Sequence, residues 1–150
     1  MRFWDSSALV AIAVDEKATR SVRDLSREDP ELMVWILSEV EITSALWRRR
    51  RANELPEIVR ADAQRQMDLT LSNAVTVADV PAVVRRARRL LASHTLRAAD
   101  AMQLAAALLA CEDEPSRLPF VTIDDRLADA AAREGFTIAP DRQSARAAHH

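Results

Sequence analysis

Leu32-Met33-Val34-Trp35-Ile36-Leu37 contains no polar side chain, and Ser38-Glu39-Val40-Glu41-Ile42-Thr43-Ser44-Ala45-Leu46 follows it directly. A strand with one solvated face alternates apolar and polar residues, whereas a strand covered on both faces reads as a continuous apolar run. The stretch after it is read as a helix over 39–53, carrying Val40, Thr43, Ala45, Leu46 and Trp47 ahead of a highly charged end. A covered strand passing straight into a helix is the repeating unit of a parallel sheet with helices on both faces.

The same alternation extends outward. Short β-type runs are predicted at 2–4, 74–77, 119–123 and 136–139, and helices at 7–14, 18–26, 56–72, 81–92, 97–111 and 126–134. Pro56 and Pro81 suit a first helical turn. Gly135, the only glycine, suits the left-handed residue that closes the last of these helices. A single glycine also excludes the Gly-rich phosphate loops of nucleotide-binding folds, which need several. The expectation is an α/β fold with a central, mostly parallel sheet of four to five strands. One domain covers 1–140, and 141–150 forms a tail whose final His149-His150 is either native or the start of a tag.

At 150 residues the chain can bury roughly 70% of its unfolded surface, so it needs no disulfide or structural metal. Cys111 is the single cysteine, lies in an Ala/Leu run and is read as packing, which excludes a disulfide framework. There is no run of about 20 apolar residues to span a membrane, and Asp5 interrupts the start before a secretion signal can develop. The expected location is therefore the cytoplasm, with no membrane partner. The net charge of −2 gives no whole-molecule attraction to nucleic acid, although it leaves room for a basic face. All the basic residues except Lys17 are arginine, which with the abundant alanine reads as a coding bias more than as a nucleic-acid signal.

Ligands of such sheets bind beyond the carboxyl ends of the strands, and four carboxylates fall there or nearby. Asp5 follows the first strand and Asp124 ends the fourth; either can serve as a helix cap, a role compatible with binding a metal. If their strands are neighbours, two like charges come close, and a cation is the economical way to neutralise them. Asp100 stands in Leu96-Arg97-Ala98-Ala99-Asp100-Ala101-Met102-Gln103-Leu104-Ala105, a setting too apolar for an unpartnered charge. Pairing with Arg97 is the plain alternative. Glu41 sits three residues after Ser38, the spacing of a reciprocal capping box; Glu39, two residues away, should face elsewhere. Together these are hard oxygen ligands without histidine or thiolate, a set that selects Mg2+ or Mn2+ over zinc. His94, the only internal histidine, is read as a loop or surface residue.

These segments resemble the PIN domain and, within it, the VapC-type toxins, over nearly the whole chain. Asp5-Ser6-Ser7-Ala8-Leu9 is similar to the family's opening motif, and Glu41-Ile42 with Ala45-Leu46 to its second. The Asp100-Ala101 pair inside an apolar helix is similar to its most specific motif. Phe120-Val121-Thr122-Ile123-Asp124-Asp125-Arg126-Leu127, followed by Ala130-Ala131 and Gly135, is similar to the last. The resemblance implies a three-layer α/β/α fold and a site in which Asp5, Glu41, Asp100 and Asp124 surround one or two Mg2+ or Mn2+ ions. Thr122 and Ser6 would be supporting polar residues. Asp125 rivals Asp124, which is favoured because Thr-x-Asp ends the strand. The resemblance further implies a homodimer held inactive by a cognate antitoxin.

The activity so implied is metal-dependent hydrolysis of RNA, leaving 5′-phosphate and 3′-hydroxyl ends. No Ser–His or Cys–His pair offers a protein nucleophile. An acidic pocket repels RNA, so Arg48 and Arg51 in the run Arg48-Arg49-Arg50-Arg51 are the candidates to hold the strand, with a solvated helix end as the alternative. Arg85-Arg86 and Arg88-Arg89 form a second such cluster. Trp4 and Trp35 read as core; Trp47 reads as core or as a partner contact. Two other functions remain open: a PIN-like domain that binds RNA or a partner without cutting, and a phosphoacceptor or phosphatase domain. The second normally requires a lysine near the phosphate, and Lys17 is the only one.

Overall fold

A computed structural model describes residues 1–14 and 19–141. Lys17, the predicted helix start at Ala18 and residues 142–150 of the predicted tail lie outside the described residues. In chain order the elements are β1 (Arg2–Trp4), α1 (Ser6–Ala13), α2 (Thr19–Glu28), β2 (Leu32–Trp35), α3 (Ser38–Arg51), α4 (Glu57–Ser72) and β3 (Val75–Val77). Then follow α5 (Val80–Ser93), α6 (Ala98–Ala110), a 3-10 turn (Pro115–Arg117), β4 (Phe120–Val121), α7 (Asp125–Arg133) and β5 (Ile138–Ala139). The strands form one sheet in the order β3-β2-β1-β4-β5, and every pairing is parallel. The sheet is thus wholly parallel among the described residues, not merely mostly so.

Pleating distributes the apolar strands between two cores. Phe3, Trp35 and Phe120 face one, with Val83, Leu90, Leu104 and Leu108 of α5 and α6 and Leu127 of α7. Their neighbours Trp4, Val34 and Val121 face the other, with Leu9 of α1, Val22 of α2, Ile42 and Leu46 of α3 and Met67 of α4. Adjacent residues pointing to opposite faces is the period-2 property of a strand. Covering both faces makes three layers and explains the unbroken apolar run at β2. Phe3 stacks on Phe120 across the β1–β4 pair, ring centres 5.5 Å apart.

β1 matches its predicted 2–4, whereas the other four strands are shorter than predicted. Ile36 and Leu37 are exposed and turn the chain into α3, so β2 ends at Trp35. Apolar character at a strand's end does not separate pairing from turning. Pro56 and Pro81 do open helices, Pro56 at the cap position of α4 and Pro81 within the first turn of α5, which Asp79 caps through the Ala82 N–H. Gly135 has φ +101° and follows α7 as expected. Cys111 is free and buried, and Trp4 and Trp35 are wholly buried. No helix among the described residues is long and apolar enough to cross a membrane.

β1 lies at the centre, with β2 and β3 to one side and β4 and β5 to the other. The chain therefore leaves β1 in one direction and returns to its other flank at β4. Such a reversal opens a crevice at the carboxyl ends of the two strands.

Candidate metal centre

Trp4 pairs with Val121, so Asp5 and Thr122 leave the sheet side by side. The Asp5 N–H extends the ladder by donating to the Val121 carbonyl at 2.9 Å. Asp5 is only 3% exposed. Its Oδ2 accepts from the Thr122 hydroxyl at 2.9 Å, the Ser7 hydroxyl at 2.5 Å and the Ser7 N–H at 3.3 Å. Asp5 therefore caps α1 and belongs to the buried cluster at once; the two roles coincide.

Asp124 caps α7, accepting from the Leu127 N–H at 2.8 Å, while its own N–H donates to the Thr122 hydroxyl oxygen at 3.1 Å. Thr122, itself buried, thus ties both strand-end aspartates together. Asp125 is the first residue of α7 and exposed, whereas Asp124 is half-buried.

Glu41 stands in the first turn of α3. The capping box that the Ser38–Glu41 spacing offered does not form: the cap residue is Leu37, with no side-chain cap hydrogen bond. Tertiary partners win instead. The Ser6 hydroxyl donates to Glu41 Oε2 at 2.7 Å. Gln103 Nε2, from α6, approaches Ser38 Oγ at 3.1 Å, Glu41 Oε1 at 3.3 Å and Ser6 Oγ at 3.4 Å. Hydrogen bonds to a carboxylate in a buried setting outweigh a solvent-facing cap. Glu39 is exposed.

Asp100 is half-buried in the first turn of α6, one turn before Gln103. Gln103, with no exposed surface, has its Oε1 without a partner. Gln103, Ser7 and Ser38 are the members of this network that sequence reasoning missed. Gln103 carried the same signal as Asp100, a polar residue in an almost wholly apolar helix, on the same face three residues on.

The electrostatics link all four acids. Burial pushes the Asp5 carboxyl up to about 6; the Ser7 and Thr122 hydroxyls pull it back, and Glu41 and Asp100 raise it further. Burial also raises Glu41, against its bonds from Ser6 and Gln103, and Asp100 adds to the rise. Asp100 is raised by burial first and then by Asp124, with Arg97 and Arg126 opposing. Arg97 is therefore a moderating neighbour, outweighed by burial and Asp124.

Among the described residues no group of three or more acidic, histidine or cysteine side chains stands close enough together to hold a metal ion. The donor set nevertheless fits a magnesium-like ion, which keeps several waters and takes one or two carboxylates, with the rest of its shell left to substrate phosphate. Mutual repulsion among these acids, opposed at Asp100 by Arg97 and Arg126 but not cancelled, is the charge pattern that a cation would neutralise. Beside Glu41 opens a cleft of about 500 Å3, lined in part by Ser6, Ser7, Glu41, Arg48 and Arg49; of the four acids Glu41 alone lines it. Arg51 lies instead on a separate depression with Trp47 and Arg50. His94 caps the carboxyl end of α5 and begins the loop to α6, as the loop reading expected, but its side chain is largely buried and bonds Glu134 at 2.6 Å, so the surface reading does not hold.

A wholly parallel three-layer sheet with acids at its central switch point defines a class of α/β proteins that bind ligands at the strand ends. The chain belongs to the PIN domain family, which matches residues 2–133. Solved structures agree on the fold. A toxin–antitoxin complex from Klebsiella pneumoniae superposes with TM-score 0.60 at 15% identity, over 85% of this chain and 91% of that one. PAE2754 from Pyrobaculum aerophilum gives 0.63 at 24% identity, over 99% and 90%. FitAcB from Neisseria gonorrhoeae gives 0.62 at 12% identity, over 92% and 96%. No curated protein sequence matches the chain. Family membership removes the phosphoacceptor and phosphatase alternative.

Proposed function

We propose that this protein is a divalent-metal-dependent endoribonuclease acting as the toxin of a toxin–antitoxin pair. The observation that carries the proposal is the hydrogen-bonded cluster at the switch point of a PIN fold, where Thr122 ties Asp5 to Asp124 and Ser6 holds Glu41. Asp5, Glu41, Asp100 and Asp124 would hold Mg2+ or Mn2+. A bound ion would supply the acidity that ionises an attacking water and the charge that stabilises the phosphate in flight.

The protein's own share is positioning. Thr122 and Ser7 fix Asp5 by donating to its Oδ2. Ser6 and Gln103 fix the two oxygens of Glu41. Capping of α7 fixes Asp124. Arg48 and Arg49, at the rim of the same cleft, offset its negative field so that a phosphodiester can approach. No side-chain nucleophile takes part, so water attacks and the products carry 5′-phosphate and 3′-hydroxyl ends.

The partner reading rests on the neighbours: one solved relative is a toxin–antitoxin complex. A cognate antitoxin that closes the acidic cleft, a homodimeric toxin and a cytoplasmic setting complete the proposal. The test is incubation of total bacterial RNA with antitoxin-free protein in Mg2+ or Mn2+, with and without chelator, followed by sequencing of the ends. Discrete metal-dependent cuts with 5′-phosphates are expected. A 2′,3′-cyclic phosphate would overturn the mechanism, because it would make the 2′-hydroxyl the nucleophile. Folded protein that binds RNA but leaves it intact would favour a binding-only domain.

A further inference from the structure

The three tryptophans divide sharply. Trp4 and Trp35 have no exposed surface, whereas Trp47, near the end of α3, is 39% exposed. Trp47 is braced, not loose. The Arg60 guanidinium stands 4.1 Å from the ring centre. Arg60 is itself held by two hydrogen bonds to Glu57, at 2.9 and 2.7 Å, and its side chain is only 11% exposed. The ring therefore has one face occupied by a fixed cation. Beside it opens a depression of about 500 Å3 lined by Trp47, Arg50, Arg51, Asn53 and Glu57. Arg60 is not part of that lining, and Trp47 keeps over a third of its surface exposed beside it. Arg50 is engaged by Glu57 at 3.6 Å; Arg51 has no ion pair among the described residues.

Helix geometry connects this depression to the acidic cleft. At 3.6 residues per turn, Arg48 lies about 20° round α3 from Glu41, Arg51 about 80° and Trp47 about 120°, all in the same sense. The rise places Trp47 about 9 Å and Arg51 about 15 Å along the axis from Glu41. Glu41, Arg48, Arg51 and Trp47 thus follow one another around the helix as a continuous path. Cation, cation and exposed aromatic leading away from an acidic centre is the pattern by which proteins hold a single strand: phosphates on arginines, a base on a ring.

We propose that the carboxyl-terminal end of α3 is a single-stranded RNA platform, on which a nucleobase flanking the cut site stacks on Trp47 while the adjacent phosphate is held by Arg51. The proposal rests on the ribonuclease reading and deepens it: the substrate is unpaired RNA, gripped away from the acids by stacking as well as by charge. Stacking tolerates every base, so this platform confers preference for unpaired strands and leaves sequence preference to other contacts. The lining favours RNA over a protein partner, because Trp47 is its only large apolar side chain and the rest is charged or polar.

The test uses the full chain in chelator, where RNA is bound but not cut. Oligouridylate is titrated while tryptophan fluorescence is read, since only Trp47 among the three is open to a base. Saturable quenching is expected, and an abasic strand of equal length should bind more weakly without it. Trp47→Leu should bind roughly tenfold more weakly with its salt dependence kept, and Trp47→Phe should retain most of the affinity. Arg51→Glu should reduce the salt slope by about one phosphate contact. If Trp47→Leu fails to fold, the quenching and the abasic comparison on the wild type decide alone. RNA binding without quenching, or unchanged affinity in a folded Trp47→Leu, would hand this face to a protein partner and overturn the platform while leaving the nuclease standing. Wild-type protein that neither binds nor, with metal restored, cuts RNA would overturn both.

Discussion

Replacing Asp5 with asparagine should stabilise the metal-free protein at neutral pH while destroying its metal site. Asp5 is buried, and its carboxyl is raised from 3.8 to about 6 chiefly by that burial. At about 1.4 kcal/mol for each tenfold change in proton affinity, ionising it in the folded state costs up to about 3 kcal/mol. The sign follows from which state holds the proton. Below about pH 4 the carboxyl is neutral both folded and unfolded, and the cost is absent. Between about 4 and 6 the folded state keeps a proton that the unfolded state has lost, so stability falls as pH rises. Above about 6 the full cost is present. Asparagine removes the charge and keeps an oxygen to accept from Thr122 or Ser7, but its amide hydrogens must find acceptors, which offsets part of the gain. The net expectation at pH 7.5 is a gain of about 1–2 kcal/mol. Urea unfolding of wild type and Asp5→Asn at pH 5 and pH 7.5, in chelator, measures it. The difference between the two proteins should grow with pH, and saturating Mn2+ should stabilise the wild type alone. A variant that is no more stable at pH 7.5 and shows the same pH slope as wild type would refute the claim that this carboxylate is held at a cost.

Gln103→Leu keeps volume but removes the amide donor from Glu41 and Ser38. It should lower Mn2+ affinity about tenfold, as loss of a ligand-orienting partner does, at a stability change within about 1–3 kcal/mol; unchanged affinity in a calorimetric titration would deny Gln103 its positioning role. Gly135→Ala meets only ordinary contacts with Pro115, at 3.6 Å, but must adopt φ +101°. It should cost about 1–2 kcal/mol in urea unfolding with RNA cleavage intact, and an undiminished midpoint would mean that the turn relaxes freely.

Much of this architecture could be read from the chain because each layer leaves a periodic trace. The unbroken apolar run at Leu32 marked a strand covered on both faces, and β2 lies inside the sheet between β1 and β3. Asp5 and Asp124 were placed at strand ends, and their approach was conditional on neighbouring strands, which the β1–β4 pairing supplies. What the sequence obscured was tertiary competition. Ser38 and Glu41 have the spacing of a local cap, yet Ser6 and Gln103, contributed by distant helices, claim the Glu41 carboxylate. Strand ends were equally opaque, because Ile36 and Leu37 are as apolar as the residues that pair. The four-arginine run could not be divided by composition: Arg48 reaches the acidic cleft and Arg51 a separate depression.

The central claim is that Asp5, Glu41, Asp100 and Asp124 act as one cation site. Calorimetric titration of Mn2+ into RNA-free protein tests it without waiting for turnover, using wild type, Asp5→Asn, Glu41→Gln, Asp100→Asn, Asp124→Asn and Asp125→Asn. The account predicts saturable binding to wild type, severe weakening in each of the first four variants and near-normal binding in Asp125→Asn. Binding that survives Asp100→Asn and Asp124→Asn but is lost in Asp125→Asn, or wild-type protein that binds no Mn2+ at all, would contradict it.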